Sequence, residues 1–295
     1  MSSRSRKVDW ESRVESYNED MSSQVHRDSS TVLGQIRSDY EADGFYIADR
    51  PLVPAEVVSS AVAGMDEVRV GRYDIDRTPQ GSDWNPGDDP NMLCKIEMPQ
   101  FVNRAMHRLV SDPMIGQVAA AATGAMWLQA WWVQMFYKPT SNAQYLHTKV
   151  GWHQDLNYWP AWEADSELLT AWVALGEVGA DSGPMLLLRG SHRWGRFPDG
   201  DFYDQDRDLA AQGRAMGFPV GETWDEVPVL LPAGGLSLHH CLTVHGSGPN
   251  ISNQPRRSVA IHLRTENSRP VGDRREALTE HIEDLDRCPV IFTAP

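Results

Sequence analysis

The sequence predicts a mainly β fold with packed helices (α+β), built as helices against a β-sandwich or barrel. Three observations support this prediction. Three segments of the first half, 31–43, 54–65 and 99–123, carry the three-and-four spacing of apolar residues that is typical of helices. From Gly124 onward, short β-type runs alternate with turns rich in glycine, proline, asparagine and aspartate. The strands do not alternate regularly with helices, which argues against a parallel α/β sheet.

The helices come first along the chain. A helix is predicted over 31–43, and Gly44 ends it before a short buried strand at 45–47. Pro54 begins a second helix, because proline is well tolerated in the first helical turn. The pattern of residues 99–123 predicts further helix.

The strands follow in the second half of the chain. Their β-branched and aromatic runs lie at 126–139, 168–175, 185–189, 227–231, 235–239 and 258–265. A helical stretch around 209–216 predicts that 199–226 is an insertion between two strands. Residues 71–92 are dense in Gly, Pro, Asp and Asn and predict a long loop of the kind that serves as a lid. We expect a flexible segment over 1–30 and a single domain over 31–295.

Charge and cysteine content exclude several classes of function. The chain has 27 Lys and Arg against 41 Asp and Glu, and a net charge of −14 argues against nucleic acid or an anionic membrane as partner. The three cysteines lie far apart without a CxxC pair, which argues against a disulfide framework or a zinc ribbon. No signal peptide or membrane span is predicted. We expect a cytoplasmic protein, monomeric or homodimeric, that acts on a small molecule.

His153 and Asp155 lie two residues apart in the segment GWHQDLNYWP (151–160). In an extended strand, residues i and i+2 point to the same face, so an imidazole and a carboxylate converge on one point. Such a pair is also common in loops, where the aspartate bonds the turn backbone instead. The pair therefore needs a third ligand before it indicates a metal.

His245 supplies the third candidate ligand, in the segment LSLHHCLTVHGSGPN (236–250). Two imidazoles and one carboxylate on one face of an iron leave positions open for a bidentate co-substrate and dioxygen, as in non-haem iron(II) oxygenases. Zinc accepts the same ligands and also keeps an open position in catalytic sites. The donor set alone leaves both metals open.

Five other histidines are not predicted to be metal ligands. His239 and His240 are adjacent, so on a strand one is buried and hydrogen-bonded and the other is a neighbour of the metal ligands. His192 follows a Gly-Ser turn, where a structural hydrogen bond is favoured. His107 and His147 belong to no partner pattern and are predicted to be non-catalytic.

Tryptophan is enriched, with 11 in the chain and six of them between residues 131 and 172. Such a cluster is typical of a tryptophan-rich core and of an aromatic-walled ligand cavity, and the two interpretations are compatible. We predict a substrate pocket lined by aromatic residues, namely Trp131, Tyr145, Tyr158, Trp159, Trp162 and Trp224.

An arginine follows the last candidate ligand. Arg256 lies 11 residues after His245, next to the strand predicted over 258–265. An arginine there can form a bidentate pair with a carboxylate. For its neighbour Arg257, a solvated position at the strand start is the preferred interpretation.

These residues lie within an ordered set of motifs that resembles the phytanoyl-CoA dioxygenase family of iron(II)/2-oxoglutarate oxygenases. The set spans residues 40–265 and consists of YEADGFYIADRPLVPAEV (40–57), QMFYKP (134–139), HQDLNYWP (153–160), TAWVALGEVGADSGPMLLLRGSH (170–192) and HGSGPN with PRRS (245–258). An ordered set is much more specific than any single motif.

The resemblance implies a double-stranded β-helix core, jelly-roll-like or cupin-like, with N-terminal helices. It implies that the iron(II) ligands are His153, Asp155 and His245. It also implies that 2-oxoglutarate, the co-substrate, is held by Arg256, Ser247, Lys138 and Trp172.

The resemblance implies the reaction as well. With iron(II), 2-oxoglutarate and dioxygen, the protein would oxidise an unactivated C–H bond of a small organic molecule and release succinate and carbon dioxide. Relatives that halogenate lack the carboxylate ligand, so Asp155 favours hydroxylation or another oxidation. A natural product or secondary metabolite is the preferred substrate class. The alternatives are an acyl-CoA hydroxylase of the same mechanism, a metal-dependent hydrolase and a ligand-binding barrel without catalytic activity.

Overall fold

The computed structural model describes five stretches of the chain, which are 29–141, 148–197, 200–205, 207–272 and 277–295. The segment expected to be flexible, 1–30, lies outside the described residues except for its last two. Within the five stretches, the helices are too short or too polar to cross a membrane.

The described stretches contain five α-helices, four of which precede the central strands. They are α1 Ser29–Asp43, α2 Ala55–Arg69, α3 Arg104–Val110, α4 Pro113–Thr123 and α5 Leu209–Met216. Helix ends follow local rules: at the start of α4 the Asp112 side chain accepts a hydrogen bond from Met114 N, and at its end Gly124 adopts φ 76°. The two N-terminal helices and the helix in the insertion are confirmed at their predicted places.

Eleven strands in these stretches form two antiparallel sheets. In chain order they are β1 Phe45–Ile47, β2 Cys94–Glu97, β3 Trp127–Lys138, β4 Val150–His153, β5 Leu168–Ala174, β6 Met185–Leu188, β7 Glu226–Pro228, β8 Leu236–His240, β9 His245–Ser247, β10 Arg256–Thr265 and β11 Val290–Thr293. The larger sheet has the order β1-β8-β5-β10-β3-β11, with β2 also paired to β3. The smaller sheet has the order β4-β9-β6-β7.

The two sheets share a small hydrophobic core. Phe136, Trp172 and Ala260 of the larger sheet meet Met185 and Leu187 of the smaller sheet there. Because alternate residues of a strand point to opposite faces, the other face of the larger sheet packs against the helices in a second, larger core. This architecture is the predicted double-stranded β-helix with packed helices.

Each of the six predicted strand segments contains a strand, and the loop over 71–92 holds neither helix nor strand. By contrast, β2, β9 and β11 have no predicted counterpart. Each has only three or four residues, which is too short for a periodic pattern to stand out. Their places depend on pairing with partners that are distant in sequence, β3 for β2 and β11, and β4 and β6 for β9.

Trp131 belongs to the larger core. The register of β3 against β10 passes from Trp132 to Ala130, so Trp131 is the extra residue of a bulge. Its fully buried ring lies edge-on to Trp159 and Trp162, with centroids 5.0 and 5.1 Å away. We therefore correct the prediction that these three tryptophans line the substrate pocket, since they pack against one another in the core.

Replacing Trp131 tests this packing. We expect Trp131→Ala to lower the free energy of unfolding by about 3–5 kcal/mol, because it removes a large buried ring from a close-packed core. Urea-induced unfolding followed by circular dichroism measures the change. Trp224→Ala is the control, since Trp224 is only partly buried in a smaller cluster. An equal loss of stability in the two variants would contradict the core assignment.

Candidate metal centre

Two histidines of the smaller sheet face each other across a strand pair. His153 ends β4 and His245 begins β9, and the two are direct partners in the antiparallel register. Their ring centroids lie 4.1 Å apart, and both side chains are buried. Sheet pairing thus brings together two imidazoles that are far apart in the sequence.

Each of these rings is oriented so that its Nε2 is free to bind a metal. His153 Nδ1 lies 2.8 Å from the carbonyl oxygen of Gly151, and His245 Nδ1 lies 3.0 Å from that of Thr243. A carbonyl oxygen only accepts, so both Nδ1 atoms carry the proton and donate it. This selects the tautomer with an unprotonated Nε2, which is a form that binds metals.

Asp155 completes the set from a short turn. β4 ends at His153, Gln154 has φ −115° and ψ 134°, and Asp155 begins the 3-10 helix Asp155–Tyr158. The strand therefore ends before Asp155, but the extended Gln154 still puts His153 and Asp155 on one side of the chain. Asp155 Oδ1 lies 3.7 Å from His153 Nε2 and 3.6 Å from His245 Nε2.

The protonation states of the three residues suit a metal. Burial lowers the pKa of His153, and burial together with His153 lowers the pKa of His245 well below its usual value. Burial alone would raise the pKa of Asp155, but His245 and His239 beside it bring that pKa well below its usual value. Neutral imidazoles and an ionised carboxylate, with ligand atoms within 4.8 Å of one another, fit a single metal ion.

The second carboxylate oxygen of Asp155 is held by the larger sheet. Thr170 Oγ1 donates a hydrogen bond to Oδ2 at 2.6 Å, and His239 Nε2 lies 3.2 Å from the same oxygen. His262 Nδ1 lies 2.8 Å from Thr170 Oγ1. His239 belongs to the adjacent pair in which we expected a neighbour of the ligands. Nothing in the sequence assigned a role to Thr170 or His262, and their contacts with Asp155 follow from the sheet register.

A second group of polar side chains lies beside the ligand set. Lys138 on β3 and Arg256 on β10 are direct cross-strand partners. Lys138 Nζ donates hydrogen bonds to Ser247 Oγ and to the carbonyl oxygen of Gly248, both at 2.7 Å. Arg256 donates to the carbonyl oxygen of Gly183, and its Nε has no hydrogen-bond partner among the described residues.

Two buried cations side by side favour an anionic ligand. Like charges opposite each other on neighbouring strands are destabilising, and both Lys138 and Arg256 are buried. Burial lowers the pKa of Arg256 to about 10, and burial together with Arg256 lowers the pKa of Lys138 well below its usual value. The guanidinium lies 5.4 Å from the ring centroid of Trp172. A carboxylate bound here offsets the repulsion, so these residues fit the distal carboxylate of 2-oxoglutarate.

One cavity connects the ligand set with Arg256 of this pair. The three candidate ligands line one part of it, and Ser247, Arg256 and Trp172 line another. Apolar walls come from Phe136, Val150, Met185, Phe202 and Ala260. The candidate metal ligands and the arginine therefore face the same cavity.

The aromatic residues predicted for the substrate pocket are dispersed in the structure. Tyr158 lies near the ligands, with its ring centroid 5.8 Å from that of His153. Trp224 packs edge-on against another tryptophan in a separate cluster, and Tyr145 lies outside the described residues. Phe202 was not predicted, yet it lines the cavity 5.1 Å from the His153 ring. It comes from the insertion between β6 and β7, so only a tertiary contact brings it here.

Three histidines outside the site have hydrogen-bond contacts, and for His192 this agrees with the predicted structural hydrogen bond. His192 and His107 each lie within hydrogen-bond distance of a backbone carbonyl oxygen, at 3.2 and 2.9 Å. His240 Nδ1 accepts a hydrogen bond from a backbone amide at 3.1 Å. His147 lies outside the described residues.

Comparison with known proteins agrees with this geometry. The profile of the family described as phytanoyl-CoA dioxygenase (PhyH) matches residues 40–258. A probable alpha-ketoglutarate-dependent hypophosphite dioxygenase of Stutzerimonas stutzeri is 28% identical over 216 residues, which cover 70% of each chain. The ectoine dioxygenase of Bordetella parapertussis is 27% identical over 243 residues, which cover 76% of this chain and 72% of the relative.

A solved structure shares the fold. The epimerase SnoN, in complex with Fe3+, alpha ketoglutarate and nogalamycin RO, matches with a TM-score of 0.62 at 24% identity. The match covers 83% of this chain and 89% of that one. Since the family profile spans most of the sequence, the chain belongs to the phytanoyl-CoA dioxygenase family and is an iron(II)- and 2-oxoglutarate-dependent dioxygenase.

Proposed function

We propose that this dioxygenase oxidises a C–H bond of a small, ring-bearing organic molecule of the kind found among natural products and secondary metabolites. Iron(II) is held by His153, Asp155 and His245, and 2-oxoglutarate is held by Arg256 and Ser247. Succinate and carbon dioxide are the co-products. Hydroxylation is the expected outcome, because the carboxylate ligand is present.

The observation that carries this proposal is that three candidate metal-ligand atoms and a buried arginine face one cavity. Arg256 lines the cavity that the ligands line, and Lys138 is its cross-strand partner. A metal-dependent hydrolase needs the ligands but has no use for two adjacent buried cations. A co-substrate with a keto-acid end and a distal carboxylate needs both.

The side chains around the cavity then have separate tasks. Iron with 2-oxoglutarate and dioxygen supplies the oxidising power for the C–H bond. The hydrogen bonds from Nδ1 to backbone carbonyls keep both histidines in the ligand tautomer. Arg256 and Lys138, together with the Ser247 hydroxyl, hold and orient the distal carboxylate, and Trp172 packs against the guanidinium.

Apolar side chains exclude water from the position where the substrate reacts. Phe202 packs against His153 and Phe136, with ring centroids 5.1 and 6.3 Å away. Met185 and Ala260 line the same cavity. A dry cavity limits side reactions of a reactive centre, and it accepts an apolar substrate carbon more readily than a charged group.

A polar rim, formed by Asp83, Lys95, Glu97 and Tyr203, lies next to Phe202. Lys95 Nζ lies 5.0 Å from the Phe202 ring centroid, 2.9 Å from Asp83 Oδ2 and 3.2 Å from Glu97 Oε1. It also donates a hydrogen bond to Tyr203 OH at 2.9 Å. One cation among two carboxylates attracts the polyphosphate of a coenzyme A ester only weakly. This favours a natural product over an acyl-CoA substrate.

We further propose a cytoplasmic location. Cys94, Cys241 and Cys288 are all free and buried. Burial raises the pKa of each thiol to about 12, so the reactive thiolate is scarce. Free thiols are typical of proteins in a reducing compartment.

Turnover of 2-oxoglutarate tests the reaction class. The iron(II)-loaded protein is expected to form succinate in the presence of oxygen. Ring-bearing natural products should include compounds that raise this rate and gain oxygen by mass spectrometry, whereas coenzyme A esters should not. If no substrate pool yields succinate and zinc supports a hydrolytic activity instead, the proposal is wrong.

Arg256→Ala tests the co-substrate assignment. We expect the 2-oxoglutarate concentration for half-maximal turnover to rise at least about tenfold, because a hydrogen bond to a charged group contributes about 1.5–3 kcal/mol. Metal affinity should not change. Arg257→Ala is the matched control, since Arg257 lies 3.4 Å from Asp66. The prediction that Arg257 is solvated is wrong, because its side chain is partly buried. If Arg257→Ala strongly weakened 2-oxoglutarate binding and Arg256→Ala left it near normal, Arg257 rather than Arg256 would be the residue that binds the co-substrate.

The cationic pair predicts proton uptake when 2-oxoglutarate binds. The pKa of Lys138 is lowered in the free protein by burial and by Arg256, and a bound carboxylate raises it again. Between these two pKa values the complex holds more protons than the free protein, so protons are taken up. Calorimetry in two buffers of different ionisation enthalpy measures the uptake. Lys138→Met should abolish it, and proton release by the native protein would contradict the account.

A further inference from the structure

A chain of polar side chains leads from the carboxylate ligand across the larger sheet. Thr170 Oγ1 donates to Asp155 Oδ2 and lies 2.8 Å from His262 Nδ1. His262 Nε2 lies 3.3 Å from Gln134 Oε1. The amide nitrogen of Gln134 donates to Glu97 Oε1 at 3.2 Å, so the chain ends in the polar rim. The site assignments above give no role to Thr170, His262 or Gln134.

Strand pairing fixes the members of this chain. Thr170 on β5 lies directly opposite His239 on β8 and His262 on β10. Gln134 on β3 lies directly opposite Glu97 on β2. Thr170, His239 and His262 are each at most 3% exposed, so solvent hardly competes for their hydrogen bonds. Their geometry is set by the sheet rather than by flexible side chains.

The two carboxylate oxygens of Asp155 have different neighbours. Oδ1 lies within 3.7 Å of Nε2 of both ligand histidines. Oδ2 accepts the Thr170 hydrogen bond and lies 3.2 Å from His239 Nε2, so its acceptor positions are directed to the sheet. A carboxylate held in this way offers one oxygen to a metal. Binding through both oxygens would occupy a further coordination position.

The contact with His262 fixes the orientation of the Thr170 hydroxyl hydrogen. A hydroxyl has one hydrogen to donate. With His262 Nδ1–H donating to Thr170 Oγ1, that hydrogen is available for Asp155. The far ring nitrogen, Nε2, lies 3.3 Å from Gln134 Oε1, and in this tautomer it donates no hydrogen bond there. His262 therefore acts on the metal ligand through Thr170.

We propose that Thr170 and His262 are positioning residues that restrict Asp155 to coordination through one oxygen. The inference rests on the proposed metal site. With Asp155 restricted in this way, three protein atoms bind the metal and the remaining positions stay open for 2-oxoglutarate and dioxygen. Hydrogen-bond partners of metal ligands commonly tune metal affinity and geometry in this manner.

Thr170→Val tests the proposal in the full-length protein, because valine keeps the shape and removes the hydroxyl. Cobalt(II) is the probe, and competition with a chromophoric chelator measures its affinity. We expect about 10–100-fold weaker binding and a changed visible absorption spectrum of the bound cobalt, which reports its coordination. Thr170→Ser, which keeps a hydroxyl, should retain the native cobalt affinity and the native spectrum. Thr265→Val is the matched control, since it removes a threonine-to-carboxylate hydrogen bond, to Glu167, elsewhere in the sheet.

His262→Gln is the second variant, and it leaves every residue in contact with the metal unchanged. It should weaken cobalt binding and change the cobalt spectrum in the same way as Thr170→Val does. If Thr170→Val does not fold, the result with His262→Gln alone tests the positioning role. If the native protein binds no cobalt, the metal site and this inference both fail. If the native protein binds cobalt while Thr170→Val or His262→Gln keeps its affinity and spectrum, only the positioning role fails.

Discussion

Antiparallel strand pairing is the constraint on which the site depends. His153 faces His245 across the smaller sheet, and Lys138 faces Arg256 across the larger sheet. A slip of one residue in either register would turn these side chains to the opposite face, because side chains alternate along a strand. The ligands and the cationic pair therefore come together only when both sheets have formed in this register. The bulge at Trp131 adjusts the register without moving the functional positions of β3.

The residues that stabilise the fold are largely separate from those that carry the chemistry. The larger core, with its packed tryptophans, lies between the larger sheet and the helices. The inner face carries buried charges and hydrogen-bonded polar groups beside its small hydrophobic core. Burying Lys138 beside Arg256 opposes folding, and the pair becomes favourable only when an anion binds. The helices and the larger core thus support a polar inner face that would be unstable on its own.

The sequence allowed the helices and most strands to be predicted from local periodicity, and the grouping of His153, Asp155 and His245 from the resemblance to a known family. Thr170 and His262 could not be predicted, since their contact with the ligand depends on strand pairing across the larger sheet. Phe202 comes from an insertion and reaches the cavity through a tertiary contact. The bulge at Trp131 interrupts a regular alternation, so the tryptophans assigned to a pocket belong to the core.

The central claim is that one metal and one 2-oxoglutarate share the cavity between the two sheets. The most direct test is a titration of iron(II) and 2-oxoglutarate into the native protein without oxygen, followed by visible absorption. The account predicts a charge-transfer band that requires both components and saturates at equimolar amounts of iron, co-substrate and protein. The absence of a band when both are present, or a band that forms with iron alone and does not change on adding 2-oxoglutarate, would contradict it.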